Sequence, residues 1–329
     1  MAAPTEITGA AAVATCAAMA VSYVAVLYAP TVLLRLPPPT SLRAFLHRRF
    51  ACAAVASVAS ALASAALLRV SATALLPTQS PRALDPRTES QIHGSSSSLP
   101  RPFQVWSLGE FSDMLVVFGI RKDHLLEAVV IPLLLTSLVY AGSFVAKLWQ
   151  LSSSRSGDGD EVGIGCAQMI VHRIRAAAPF TEELVFRACM IPLLLCGGFK
   201  MHNIIFFSPV FFSLAHLNHW FELHQQGCNF MRSLLIVGVQ LGYTVIFGWY
   251  AAFLFIRTGN LLSPIIAHVF CNMMGLPVFS SLRTRGLASV AFLAGSISFF
   301  WLLFPVTSPE LYNSSLEHCS CWHGYCRWK

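Results

Sequence analysis

Long apolar runs, rather than strict alternation, set the pattern of this chain. A membrane-spanning helix needs about 20 apolar residues, and eight segments approach that length. They are Gly9–Ala29, Ala51–Val70, Leu125–Ala146, Gly163–Cys196, Asn203–Trp220, Ser233–Ile256, Leu261–Phe279 and Leu287–Phe304. Pro30 closes the first. Glu6 and the lack of Lys or Arg before it mark that segment as a retained helix, not a cleaved signal. Arg48 and Arg49 precede the second. Residues 71–124 are rich in Pro, Ser and charge and read as a long loop, with a short surface helix around Phe111–Ile120. Pro132 interrupts the third run, and Ser152–Glu161 is a polar linker. Gly163–Cys196 reads as one long helix whose first part, with Arg173 and Arg175, is amphipathic. The seventh run is short and polar. Gly238 and Gly242 form a small-xxx-small pair that would admit a neighbouring helix. The expected fold is all-α, a polytopic membrane helical bundle of about eight transmembrane helices.

Composition points the same way. Of 329 residues, 55% are hydrophobic and 11% charged, with mean hydropathy +0.63. Soluble domains carry about 25% charged residues. The deficit excludes a disordered chain, a nucleic-acid-binding domain and an ordinary cytosolic enzyme. The net charge of +7 then reads as topology signal and contact with anionic headgroups. A lumenal N-terminus would put Arg35, Arg43, Arg48, Arg49, Lys147, Arg155, Arg232, Arg283 and Arg285 in cytosolic loops, and only Lys200 and Arg257 opposite. An even number of spans brings the C-terminus to the lumen, where the Asn313-Ser314-Ser315 sequon is accessible. The ten cysteines form no framework. Cys16, Cys52, Cys189, Cys196 and Cys271 lie in apolar runs, where a thiol acts as a small hydrophobe. The tail His318, Cys319, Cys321, His323 and Cys326 is too irregular for an ordinary zinc site and reads as a loose tail.

Ionisable groups in apolar segments are costly and persist when paired, hydrated or functional. Three segments carry them. In Thr181-Glu182-Glu183-Leu-Val-Phe-Arg187, Glu183 and Arg187 are i,i+4 neighbours and can pair. Glu182 points about 100° away. The bland reading is a structural ion pair with a helix-end carboxylate. The functional one lets Glu183–Arg187 hold the helix while Glu182 faces a cavity as general base. In Phe212-Ser-Leu-Ala-His216, His219 follows one turn on, making a stripe. A lone core histidine is the plain alternative. In His268-Val-Phe-Cys-Asn272, two donors share a helix face, as an oxyanion site or a helix–helix hydrogen bond requires. Together they fit attack of an activated water on an amide. Glu182 takes the proton, His216 orients the water, and His268 with Asn272 binds the oxyanion. Glu182 or His216 returns the proton to the leaving amine.

These motifs, Glu182-Glu183-x-x-x-Arg187, Phe212-x-x-x-His216 and His268-x-x-x-Asn272, resemble the CAAX protease and bacteriocin-processing family of intramembrane glutamate peptidases. TEELVFRACM from Thr181 and FLFIRTGNLLSPIIAHVFCNMMG from Phe253 are similar, within it, to the type 2 CAAX prenyl endopeptidases. The resemblance covers about residues 170–305. It implies release of the three residues after a farnesylated or geranylgeranylated cysteine, on substrates of the small GTPase type, in the endoplasmic reticulum membrane, with the active site open to the cytosol. It gives Glu182 and His216 the catalytic roles, His268 and Asn272 the transition state, and Glu183 and Arg187 support. It implies no cofactor and no metal. The domain expectation is a single membrane protease over 1–329, with an N-terminal half 1–162, a catalytic core 163–305 and a tail 306–329. A zinc protease using Glu182, His216, His219 and His268 is the nearest rival, although HExxH is absent. A thiol protease using Cys189 or Cys271 and a non-enzymatic membrane scaffold are further alternatives.

Overall fold

The computed structural model describes residues 7–37, 39–75, 114–154, 177–225, 227–279, 284 and 286–312. The described residues are mostly helical, with no strand among them. They are α1 (Gly9–Val32), α2 (Leu42–Leu75), α3 (Leu125–Val139), α4 (Ala141–Ser154), α5 (residues 177–196), α6 (Met201–Ala215), α7 (Asn218–Gln225), α8 (Phe230–Thr258), α9 (Leu262–Met274) and α10 (Leu287–Val306). The expected surface helix is one turn at 114–117. Arg173, Arg175, the sequon and the cysteine-containing tail lie outside the described residues.

The membrane fold is as expected, and the count of eight full spans is not confirmed among the described residues. Among the described residues four helices are long and apolar enough to cross: Gly9–Val32, Leu42–Leu68, Phe230–Thr258 and Leu287–Val306. The third expected span is broken, its halves meeting at 72°, and counting the pair gives five. The break falls at Tyr140, eight residues beyond Pro132, so the proline does not mark it. The fifth and seventh expected spans become α6 and α9, of 15 and 13 residues. At a rise of about 1.5 Å per residue, neither reaches across a hydrocarbon core of about 30 Å.

α5 lies at the centre. Its middle, Leu184–Cys189, is π-helical and packs on α1, α2, α6 and α8. Pro192 follows it. Proline has no N–H to donate, and its ring crowds the carbonyl one turn back. Ser64 of α2 donates to the Cys189 carbonyl at 3.1 Å, and Ser57 Oγ lies 3.2 Å from the Thr181 carbonyl.

The short helix α9 is pinned at both ends. At its start, Asn260 Oδ1 accepts from Leu262 N at 2.9 Å, and Leu261 N donates to Gly119 O at 2.8 Å. At its end, Tyr140 donates to Gly275 O at 2.7 Å. Close packing uses other glycines than those expected. A Cβ on Gly238 or Gly242 would meet nothing within 4 Å among the described residues. On the same helix, a Cβ on Gly248 would come within 2.5 Å of Pro209 Cβ, where α6 and α8 pack most extensively.

Candidate active site

The fold gathers most of the predicted residues around α5. Glu183 and Arg187 are fully enclosed, with side chains 0% and 2% exposed. Glu183 Oε1 accepts from Arg187 Nη1 at 3.2 Å, and Arg187 Nε lies 3.1 Å from Oε2. Oε2 makes no aligned hydrogen bond among the described residues, so the second contact is an ion pair only. The expected pair is therefore present.

Its carboxylate does more than the sequence suggested. Glu183 Oε1 also lies 2.6 Å from His268 Nδ1. A carboxylate can only accept, so Nδ1 carries the proton and the ring is turned to present Nε2 elsewhere. Nε2 lies 3.6 Å from Glu182 Oε2. Arg187, Glu183, His268 and Glu182 thus stand in one line of contacts across α5 and α9. Spacing along a single helix shows the Glu183–Arg187 pair. It cannot show His268 arriving from 85 residues away.

Glu182 is the more exposed of the two glutamates, at 21%. With His216 it lines a cavity of about 260 Å³. α6 stops at Ala215, and His216 caps it, donating its backbone N–H to Ser213 O at 2.9 Å. The ring stands at the end of the helix with Nδ1 2.8 Å from the Phe212 carbonyl. That carbonyl fixes the proton on Nδ1, so Nε2 is the atom that can exchange protons at the cavity. The helix expected to carry the stripe ends at His216 and the chain restarts as α7, and the His219 side chain lies outside the described residues.

Phe212 joins these groups. It is 1% exposed. The Arg187 guanidinium lies 4.5 Å from its ring centre, an attractive cation–π contact. The rings of His216 and His268 meet its edge or face at 4.7 and 5.9 Å. Phe247 closes over His268 at 4.7 Å. Sequence reasoning placed Phe212 on the stripe without this role. Asn272 is half-buried on α9, one turn beyond the buried His268. Among the described residues no group of three or more His, Cys, Asp or Glu side chains is arranged to hold a metal ion.

A family model described as type II CAAX prenyl endopeptidase Rce1-like matches residues 169–274. That stretch contains all six site residues. The chain is 48% identical to CAAX prenyl protease 2 of Arabidopsis thaliana, over 96% of each chain. It belongs to the CAAX prenyl protease 2 family. The human CAAX prenyl protease 2 is 37% identical over 62% of this chain and 64% of its own. The Saccharomyces cerevisiae protein of that name is 37% identical over 30% of this chain and 34% of its own. No solved structure matches the chain. The family match leaves α1 and α2 outside its bounds, yet both help to wall the cavity beside Glu182.

Proposed function

We propose that the chain is an intramembrane endopeptidase that removes the aaX tripeptide from prenylated CAAX proteins, using a water activated by Glu182. The observation that carries the chemistry is the pairing of Glu182 with His216 in one cavity while His268 backs Glu182 from the buried side. The similarity to proteins named CAAX prenyl protease 2 carries the substrate class.

Water enters between Glu182 and His216. Glu182 takes one proton as the oxygen attacks the carbonyl carbon of the prenylated cysteine. The C=O electrons move to oxygen, and His268 Nε2 and Asn272 donate to that oxyanion. Preorganised donors of this kind act where charge develops. For Nε2 to donate while Nδ1 donates to Glu183, the ring must carry both protons. Collapse of the intermediate breaks the C–N bond, and Glu182 or His216 gives a proton to the leaving amine. The substrates are of the farnesylated or geranylgeranylated small GTPase type. The enzyme works in the endoplasmic reticulum membrane with its cavity open to the cytosol, as a single protease domain whose core spans 163–305.

The test is purified full-length protein with a farnesylated CAAX peptide, followed by mass detection of released tripeptide, with and without EDTA or phenanthroline. The reading expects release in both. Chelator-sensitive release restored by zinc would favour a zinc protease, and no release would favour a scaffold.

A further inference from the structure

A protease that removes three residues from a chain end needs a way to measure that length. Half of the residues lining the cavity come from α1 and α2. Most are apolar, including Val24, Leu27, Leu46 and Phe50. Arg49 is the one Lys or Arg among the described lining residues, in the same cavity as Glu182 and His216. Its neighbour Arg48 is turned away, both terminal nitrogens donating to the Pro37 carbonyl at 3.0 Å. The Arg49 guanidinium lies 5.4 Å from the ring centre of Phe45, which also lines the cavity.

The helix supplies a ruler. Ser57 of α2 lies 3.2 Å from the Thr181 carbonyl, next to Glu182. Arg49 precedes Ser57 by eight residues on α2, about 12 Å of helix. Three extended residues span about 10–11 Å. A peptide cut beside Glu182 and laid along α2 toward its N-terminus would bring its end to the turn of α2 that carries Arg49. A guanidinium recognises a carboxylate through paired, charge-assisted N–H bonds. We infer that Arg49 binds the C-terminal carboxylate of the substrate and so sets the cut three residues from the chain end. This inference rests on the endopeptidase reading above. It makes the N-terminal helices part of substrate recognition.

The experiment uses purified full-length protein and two prenylated CAAX peptides that differ only at the end, one a free acid and one a carboxamide. The wild type should cleave the acid with a kcat/KM roughly ten- to a hundredfold higher, the usual worth of a hydrogen-bonded charge pair. Arg49→Gln should bring the acid-to-amide ratio close to one. Arg49→Lys, which keeps the charge without the fork, should retain part of it. Equal cleavage of acid and amide by the wild type would overturn the inference while leaving the endopeptidase reading intact. So would an Arg49→Gln enzyme that keeps the preference, as expected if Arg49 serves only lipid headgroups. Should Arg49→Gln fail to fold, the wild-type comparison and Arg49→Lys still decide. Cleavage of neither peptide by the wild type would instead overturn the endopeptidase reading.

Discussion

Glu182 and Glu183 are adjacent in the chain and differ in what surrounds them. Glu183 is enclosed between Arg187 and His268. Removing one partner of a buried charge pair costs about 3–5 kcal/mol, because the other charge is left uncompensated. Glu183→Gln should therefore lower Tm and folded yield along with activity. Size-exclusion and thermal unfolding of the purified variant check this. A stable, monodisperse Glu183→Gln protein would remove its structural role. His268→Leu should also lose folded protein, since it removes one of the two partners of the buried Glu183. Asn272, half-buried and one turn further along α9, is the cleaner donor to remove. Loss of one oxyanion donor typically lowers turnover by about 10²–10³-fold. Because that charge appears only in the transition state, Asn272→Leu should lower kcat and leave prenyl-peptide affinity nearly unchanged. Weakened binding instead would make Asn272 a packing contact. The i,i+4 pairs were legible because they lie within one helix. The Glu183–His268 bond was not, since α5 and α9 meet only in three dimensions.

At the scale of elements, the site depends on irregularities in the helices. The π-helical turn after Glu183, the end of α6 at His216 and the pinned ends of α9 each aim a side chain. Hydropathy predicts apolar segments but not where a helix stops, because Ala215, His216 and Leu217 form no strong stop pattern. The glycine pair meets no helix among the described residues for a related reason: spacing shows which glycines share a face, not whether a helix lies opposite. Gly295 of α10 shows where one does. A Cβ there would come within 2.0 Å of the Leu138 carbonyl, backbone that cannot swing aside. Overpacking costs about 1–3 kcal/mol and sometimes more, so Gly295→Ala should lower Tm. Gly238→Ala would meet nothing within 4 Å among the described residues and brings a better helix former, so its Tm should not fall. Equal effects of the two substitutions would contradict the packing described here.

For the whole molecule, composition alone identified a polytopic helical membrane protein. It does not fix the number of full spans, because short apolar helices such as α9 gain their burial from neighbouring helices and need not cross the bilayer. The resulting cavity has walls from both halves of the chain, and Glu182 is the carboxylate that faces it. The most direct test is the turnover of purified Glu182→Gln on a prenylated CAAX peptide, measured beside wild type with Tm and peptide binding recorded. Gln keeps the size of the side chain and cannot accept the proton from water. Positioned acid–base catalysis is worth about 10²–10⁴-fold, so kcat should fall by that factor while Tm and binding hold. Turnover near the wild-type value would show that Glu182 does not activate the water.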